Sequence, residues 1–124
     1  MWDLPCGILC RQHLLGEHRE VHSIWSVLTK NKKGYCSHPE TLRWKGKLLA
    51  LYYRHEYIAY EMKRRGYAHN SPLDKSLAAG QKAIQAIFID DLQTQRKILQ
   101  QKKCECKVRY NCNREDKNEI TISN

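Results

Sequence analysis

Gln12-His13-Leu14-Leu15-Gly16-Glu17-His18-Arg19-Glu20-Val21-His22-Ser23-Ile24-Trp25 is the stretch that decides how the rest of the chain is read. Wound as a helix at about 100° per residue, it puts Leu14, Val21, Trp25 and Leu28 on one face, with Ile24 beside them. His13, Glu17 and Glu20 fall at one edge of that face, half in the core and half in water, and Arg19 lies further round toward solvent. Partial desolvation disfavours a carboxylate's charged form and poises it for proton transfer. A helix that only had to pack would carry Lys or Gln at such edges, so the stretch reads as a site as well as a scaffold.

Working outward, Pro5 and Gly7 oppose helix, and residues 1 to about 8 are expected to form an extended arm. The first helix is expected from Leu9 to Lys30, ending in the basic turn Asn31-Lys32-Lys33-Gly34-Tyr35. Ser37-His38-Pro39-Glu40-Thr41 reads as irregular, because Pro39 biases His38 away from helix, and leads to a short helical turn over Leu42 to Trp44. Lys45 to Arg65 carries the longest helical period, with Leu48, Leu51, Tyr52, His55, Ala59 and Met62 on one stripe. Its last turn, Lys63-Arg64-Arg65, suits the helix dipole, and Gly66 suits the position just past its end. After the loop at Ser71-Pro72-Leu73, a third helix is expected from Ser76 to Lys102. Its apolar stripe is Leu77, Ala83, Ile84, Ile87, Phe88, Leu92 and Leu99. There is no strand alternation and no internal repeat. The expected fold is all-α, a single compact domain of three main helices with irregular connecting loops, spanning residues 1–103, followed by a polar, mobile tail over 104–124.

At 124 residues and 41% hydrophobic content the chain can bury one modest core. Lys and Arg number 22 against 13 acidic residues, and a formal charge of +9 on so small a body favours a polyanionic partner, above all nucleic acid. Met1-Trp2-Asp3-Leu4-Pro5 lacks the basic start and apolar run of a secretory signal, and no segment has the length of a membrane span. The expected location is the cytoplasm, with Cys6, Cys10, Cys36, Cys104, Cys106 and Cys112 as thiols or metal ligands.

Gln12-His13-Leu14, then Glu17, then Arg19-Glu20 resemble the first-helix signature of the pyrimidine-dimer DNA glycosylases, the phage endonuclease V type. Arg43-Trp44-Lys45-Gly46-Lys47, Arg54-His55-Glu56 and Glu61-Met62-Lys63-Arg64-Arg65-Gly66-Tyr67 extend the resemblance. With His69 and Ser71-Pro72-Leu73 they look like the family's bacterial and archaeal branch. The likeness covers roughly residues 2 to 75, as short motifs in the right order. It implies a glycosylase with an associated abasic-site lyase, acting as a monomer on damaged double-stranded DNA, with no metal or cofactor and no membrane partner. In that family the nucleophile is the α-amine of the mature N-terminus, which forms an imine at the sugar C1′. An α-amine is far less basic than a lysine ammonium, so an appreciable fraction is neutral and nucleophilic near neutral pH. The family's catalytic glutamate corresponds to Glu20, where it stabilises the positive sugar and then moves protons. Gln12, His13 and Arg19 correspond to positions that hold DNA and orient the site, and Lys45 and Lys47 are expected to contact it as well. A flipped nucleotide in a kinked duplex is implied, because a stacked base blocks access to C1′.

The sequence departs from the family pattern at two positions. The residue after the initiator methionine is small in the best-known members and is Trp2 here, so Met1 is expected to stay and to supply the amine. An arginine one turn beyond the catalytic glutamate is replaced by Ser23, and Lys107-Val108-Arg109-Tyr110 is the only candidate for the aromatic, basic C-terminal segment.

Plainer readings stand beside these. Glu20 alone is a surface carboxylate, His55 a packing histidine on an apolar stripe, and the runs Lys30/Lys32/Lys33 and Lys63/Arg64/Arg65 solvated faces that the net charge turns toward phosphates. His18 and His22, at i and i+4, have the spacing of a metal clamp but point away from Glu20, so the His-Glu-x-x-His arrangement is absent. Cys104-x-Cys106 with Cys112 is a zinc or redox candidate without paired Cys-x-x-Cys spacing. The rivals to the repair enzyme are thus a basic helical module that binds nucleic acid without chemistry and a zinc-dependent helical protein.

Overall fold

A computed structural model describes residues 1–102 and 104–107. Its helices are α1 (Arg11–Lys30), α2 (Pro39–Trp44), α3 (Leu48–Arg64) and α4 (Leu92–Gln101), with 3-10 turns at Cys6–Ile8 and Lys75–Ala78. Among the described residues there is no strand, and no helix is long and apolar enough to cross a membrane.

The core forms where the apolar stripe of α1 meets that of α3. Leu14, Val21, Ile24 and Trp25 from α1 pack with Leu48, Leu51, Ile58 and Met62 from α3, and Leu4, Leu9 and Leu99 close the ends. α1 stops at Asn31, whose left-handed backbone (φ 51°) lets the Lys32 N–H reach back to the Val27 carbonyl at 3.2 Å. α3 stops as its sequence predicts. Gly66 takes φ +85°, and the Tyr67 N–H closes on the Met62 carbonyl at 2.9 Å.

Two elements differ from expectation. The irregular stretch before Leu42 is helical from Pro39. Proline sits at the first helical position, where its missing N–H costs nothing, and the His38 ring nitrogen caps the helix by accepting from the Glu40 N–H at 3.1 Å. The expected third helix over Ser76–Lys102 exists only as α4 and the short Lys75–Ala78 turn. Gly80 at φ +77° breaks the run, and Asp91 restarts helix by accepting from the Thr94 N–H at 2.7 Å. The intervening residues bind the α2–α3 corner instead. Lys82 exchanges backbone hydrogen bonds with Gly46 and Ala50, and Gln81 accepts from the Leu48 N–H. Ile84, Ile87 and Phe88, placed on the stripe by periodicity, are exposed. Of the expected stripe, Leu99 alone joins the central core.

The N-terminal arm, expected to be extended, instead winds a 3-10 turn over Cys6–Ile8, closed by the Leu9 N–H on the Cys6 carbonyl, and it is tied down from two sides. Arg65 donates to the carbonyls of Leu9 (2.7 Å) and Gly7 (3.2 Å), while the Lys107 N–H donates to Ile8 at 2.7 Å. The first residues of the expected tail, 104–107, therefore return to the start of α1. Cys112 and Val108-Arg109-Tyr110 lie outside the described residues, as does the rest of the tail.

Leu51 is fully buried at the α1–α3 contact. Leu51→Ala is expected to cost roughly 2–5 kcal/mol of unfolding free energy, read as a lowered denaturant midpoint with an unchanged slope.

Candidate functional site

The arm's hydrogen bonds carry the chain's first nitrogen to a buried carboxylate. The Met1 ammonium donates to Glu40 Oε1 at 3.1 Å, and the Trp2 N–H donates to Glu17 Oε1 at 3.0 Å. Asp3 fixes the next step. Its N–H donates to Gln95 of α4 at 2.7 Å, its Oδ1 accepts from Arg43 at 2.9 Å and its Oδ2 accepts from Gln95 at 3.0 Å. Three successive residues are thus held from α1, α2 and α4 together.

Glu40 is the hub. Its Oε2 accepts from Arg43 Nε and, at 3.1 Å, from the Trp44 indole, while Oε1 takes the terminal ammonium. Burial alone would raise its carboxyl, but the ammonium and the Arg43 guanidinium outweigh burial and hold it below the ordinary value of 4.5. Glu17 is the opposite case. It is 3% exposed, and burial raises its carboxyl against the opposing pull of Arg54, which binds Oε2 through Nε (3.2 Å) and NH2 (3.1 Å). The sequence places Glu17 at the half-buried edge of α1, whereas the arm and Arg54 enclose it.

These groups line a cleft of about 530 Å³ between the arm, α1 and α4. Of the residues singled out in the sequence, Met1, Gln12, His13, Arg19 and Glu20 all face it. Glu20 is half-buried and accepts a hydrogen bond from the Tyr35 hydroxyl at 3.1 Å, and Tyr35 in turn stacks on His38 at 4.3 Å between ring centres. The terminal nitrogen and Glu20 share the cleft, yet the carboxylate in contact with the nitrogen is Glu40. Lys45 lies instead on a second groove of about 320 Å³, beside Lys32 and Lys33. Lys47 turns inward, donating to Gln85 at 3.0 Å and to the Arg43 carbonyl at 3.3 Å.

Glu40, Arg43, Asp3 and Gln95 were not singled out from the sequence. A signal for the first two existed. Proline followed by an acidic residue, with arginine one turn on, is how a helix begins, and it sets Glu40 and Arg43 on one face. Nothing local marks Asp3 or Gln95, which meet across 92 positions of chain.

Two clusters have donor atoms that suit a metal. His18, His22, His55 and His69 bring their ring nitrogens within 4.8 Å of one another, as do Cys10, His13, Cys104 and Cys106 with their ligand atoms. Burial, reinforced by the neighbouring imidazoles, lowers His18 to about 4 and also lowers His22 and His69. Burial works against the Cys10 thiolate, but hydrogen bonds from His13 outweigh it and bring the thiol down to about 6.

The family model described as pyrimidine dimer DNA glycosylase matches residues 1–75. The chain belongs to that family. The matched segment contains the arm, α1, α2 and α3, hence both Met1 and Glu20, while α4 and its Gln95 lie beyond it. No curated protein and no solved structure matches the chain significantly.

Because Glu40 is depressed in the folded state, its contribution to stability is present above 4.5 and is lost as pH falls through the lowered value. Glu40→Gln is therefore expected to lower Tm near neutrality and to flatten the acid limb of the Tm–pH curve. Parallel curves for the two proteins would show that Glu40 is not the linked group.

Proposed function

We propose that the protein is a DNA-repair N-glycosylase with an associated abasic-site lyase, acting on damaged duplex DNA of the pyrimidine-dimer class through its N-terminal amine. The observation that carries this reading is the fold-back of the arm, which holds the Met1 nitrogen in the same cleft as Glu20 and Arg19.

In this reading the Met1 nitrogen, once deprotonated, attacks C1′ of a flipped nucleotide. The C1′–N bond breaks, its electron pair leaves with the base, and the base takes up a proton. The nitrogen gives one proton to the departing base and keeps the other; the sugar ring then opens at C1′–O4′, O4′ takes up a proton from water, and the protonated imine results. Glu20 stabilises positive charge on the sugar during base departure and afterwards takes the C2′ proton, so that the C3′–O bond breaks and the 3′ phosphate leaves. Water returns the amine by hydrolysing the imine. Glu40 holds the nitrogen in the cleft. Arg19 and Gln12, both exposed at the cleft, are suited to phosphate contacts beside the lesion.

Borohydride is expected to trap a covalent adduct between the protein and abasic duplex DNA. Glu20→Gln should reduce strand cleavage by roughly 10²–10⁴-fold while leaving salt-dependent DNA binding in place. A short extension ahead of Met1 should abolish trapping without abolishing binding. Salt-dependent binding with no adduct from the unextended chain would instead identify a basic helical module without chemistry.

A further inference from the structure

The four-histidine cluster is built from three separate parts of the chain. His18 and His22 lie one turn apart on α1, His55 comes from the buried face of α3, and His69 comes from the connection after α3. Their Nε2 atoms converge. His22 meets His55 at 3.1 Å, His69 meets His18 at 3.1 Å, and His69 meets His55 at 3.3 Å. Metal–nitrogen bonds of about 2.0–2.1 Å in a tetrahedron set neighbouring nitrogens roughly 3.3–3.4 Å apart, close to these separations.

Hydrogen bonding among the rings explains the cluster poorly. Each contact needs one donor and one acceptor, yet the single Nε2 positions of His55 and His69 each face two others. The outer side of the cluster is arranged for ligation. Glu56 Oε2 lies 2.9 Å from His55 Nδ1, which draws the ring proton to Nδ1 and leaves the Nε2 lone pair pointing inward.

We propose that His18, His22, His55 and His69 form a closed tetrahedral site for a divalent transition ion, with zinc the best fit. Four imidazoles suit borderline ions, and a site filled by four protein ligands has no open position for chemistry. The ion's role is structural. It staples α1 to α3 and to the His69 connection, fixing the turn of α1 that carries Arg19 and Glu20 between its two histidines. The site is independent of the proposed reaction and of the nucleophile.

We infer that Cys10, His13, Cys104 and Cys106 form a second, independent site of the same structural kind. Both Cys10 Sγ and Cys106 Sγ lie 3.2 Å from His13 Nδ1, and the Cys10 N–H donates to Cys106 Sγ at 3.1 Å, as amides do toward metal-bound thiolates. Three sulfurs and one nitrogen are a usual closed zinc set. An ion here would clasp residues 104–106 to the start of α1, beside the Trp2 ring.

The test is metal analysis of the purified full chain, followed by chelation and refilling with zinc or with cobalt(II) as a spectroscopic stand-in. Two equivalents per chain are expected. His69→Ala, in a connection rather than a helix, should lose one equivalent and keep the thiolate-to-cobalt charge-transfer band. Cys104→Ser with Cys106→Ser should lose the other equivalent together with that band. His18→Gln should repeat the His69→Ala result, and chelation should lower Tm in the wild type by more than in any of the three variants. Equal metal content in wild type, His69→Ala and His18→Gln, all folded by circular dichroism, would overturn the histidine site. Absence of the charge-transfer band from the refilled wild type would overturn the cysteine site.

Discussion

The ion pair between the first nitrogen of the chain and Glu40 is the contact on which the rest of the site depends. A chain terminus ordinarily frays, because ordering it costs conformational entropy that few contacts repay. Here the cost is offset by charge-assisted bonds at successive residues, to Glu40, Glu17 and the Asp3 partners. Glu40 in turn is tolerable at 5% exposure only because Arg43, the Trp44 indole and the ammonium all serve it. Removal of any one of these would leave a buried charge short of partners, so the network behaves as a unit.

The contrast between Glu40 and Glu17 shows how two buried carboxylates a few ångströms from the same arm diverge. Two cationic partners hold Glu40 ionised, whereas burial dominates at Glu17 despite Arg54. Glu20 is half-buried at the cleft and bonded to Tyr35, and it is the most exposed of the three glutamates. Position within the fold, and not residue type, gives these three glutamates different partners and different exposure.

The sequence was legible where a single period governed many residues. The α1 and α3 stripes and the Gly66 stop follow from local rules, and so does the placing of Gln12, His13, Arg19 and Glu20 on one helix. It was less legible where two local signals competed. The apolar spacing of Leu77 to Phe88 argued for helix, while Gly80 and the hydrogen bonds offered by Gly46, Leu48 and Ala50 favoured an irregular path. At Pro39 the effect on the preceding residue was legible, but the matching rule, that proline opens a helix, was the one that decided. Partnerships such as Asp3 with Gln95, or His22 with His55, have no local signature at all, because tertiary packing alone brings them together.

The Asp3–Gln95 clasp also sets an order of events during synthesis. The residues of α1 leave the ribosome early, but the arm's third residue has no partner on α4 until some ninety further residues have been made. The amine's partner Glu40 is thus made long before the clasp on Asp3, and the cleft is complete only once α4 is in place.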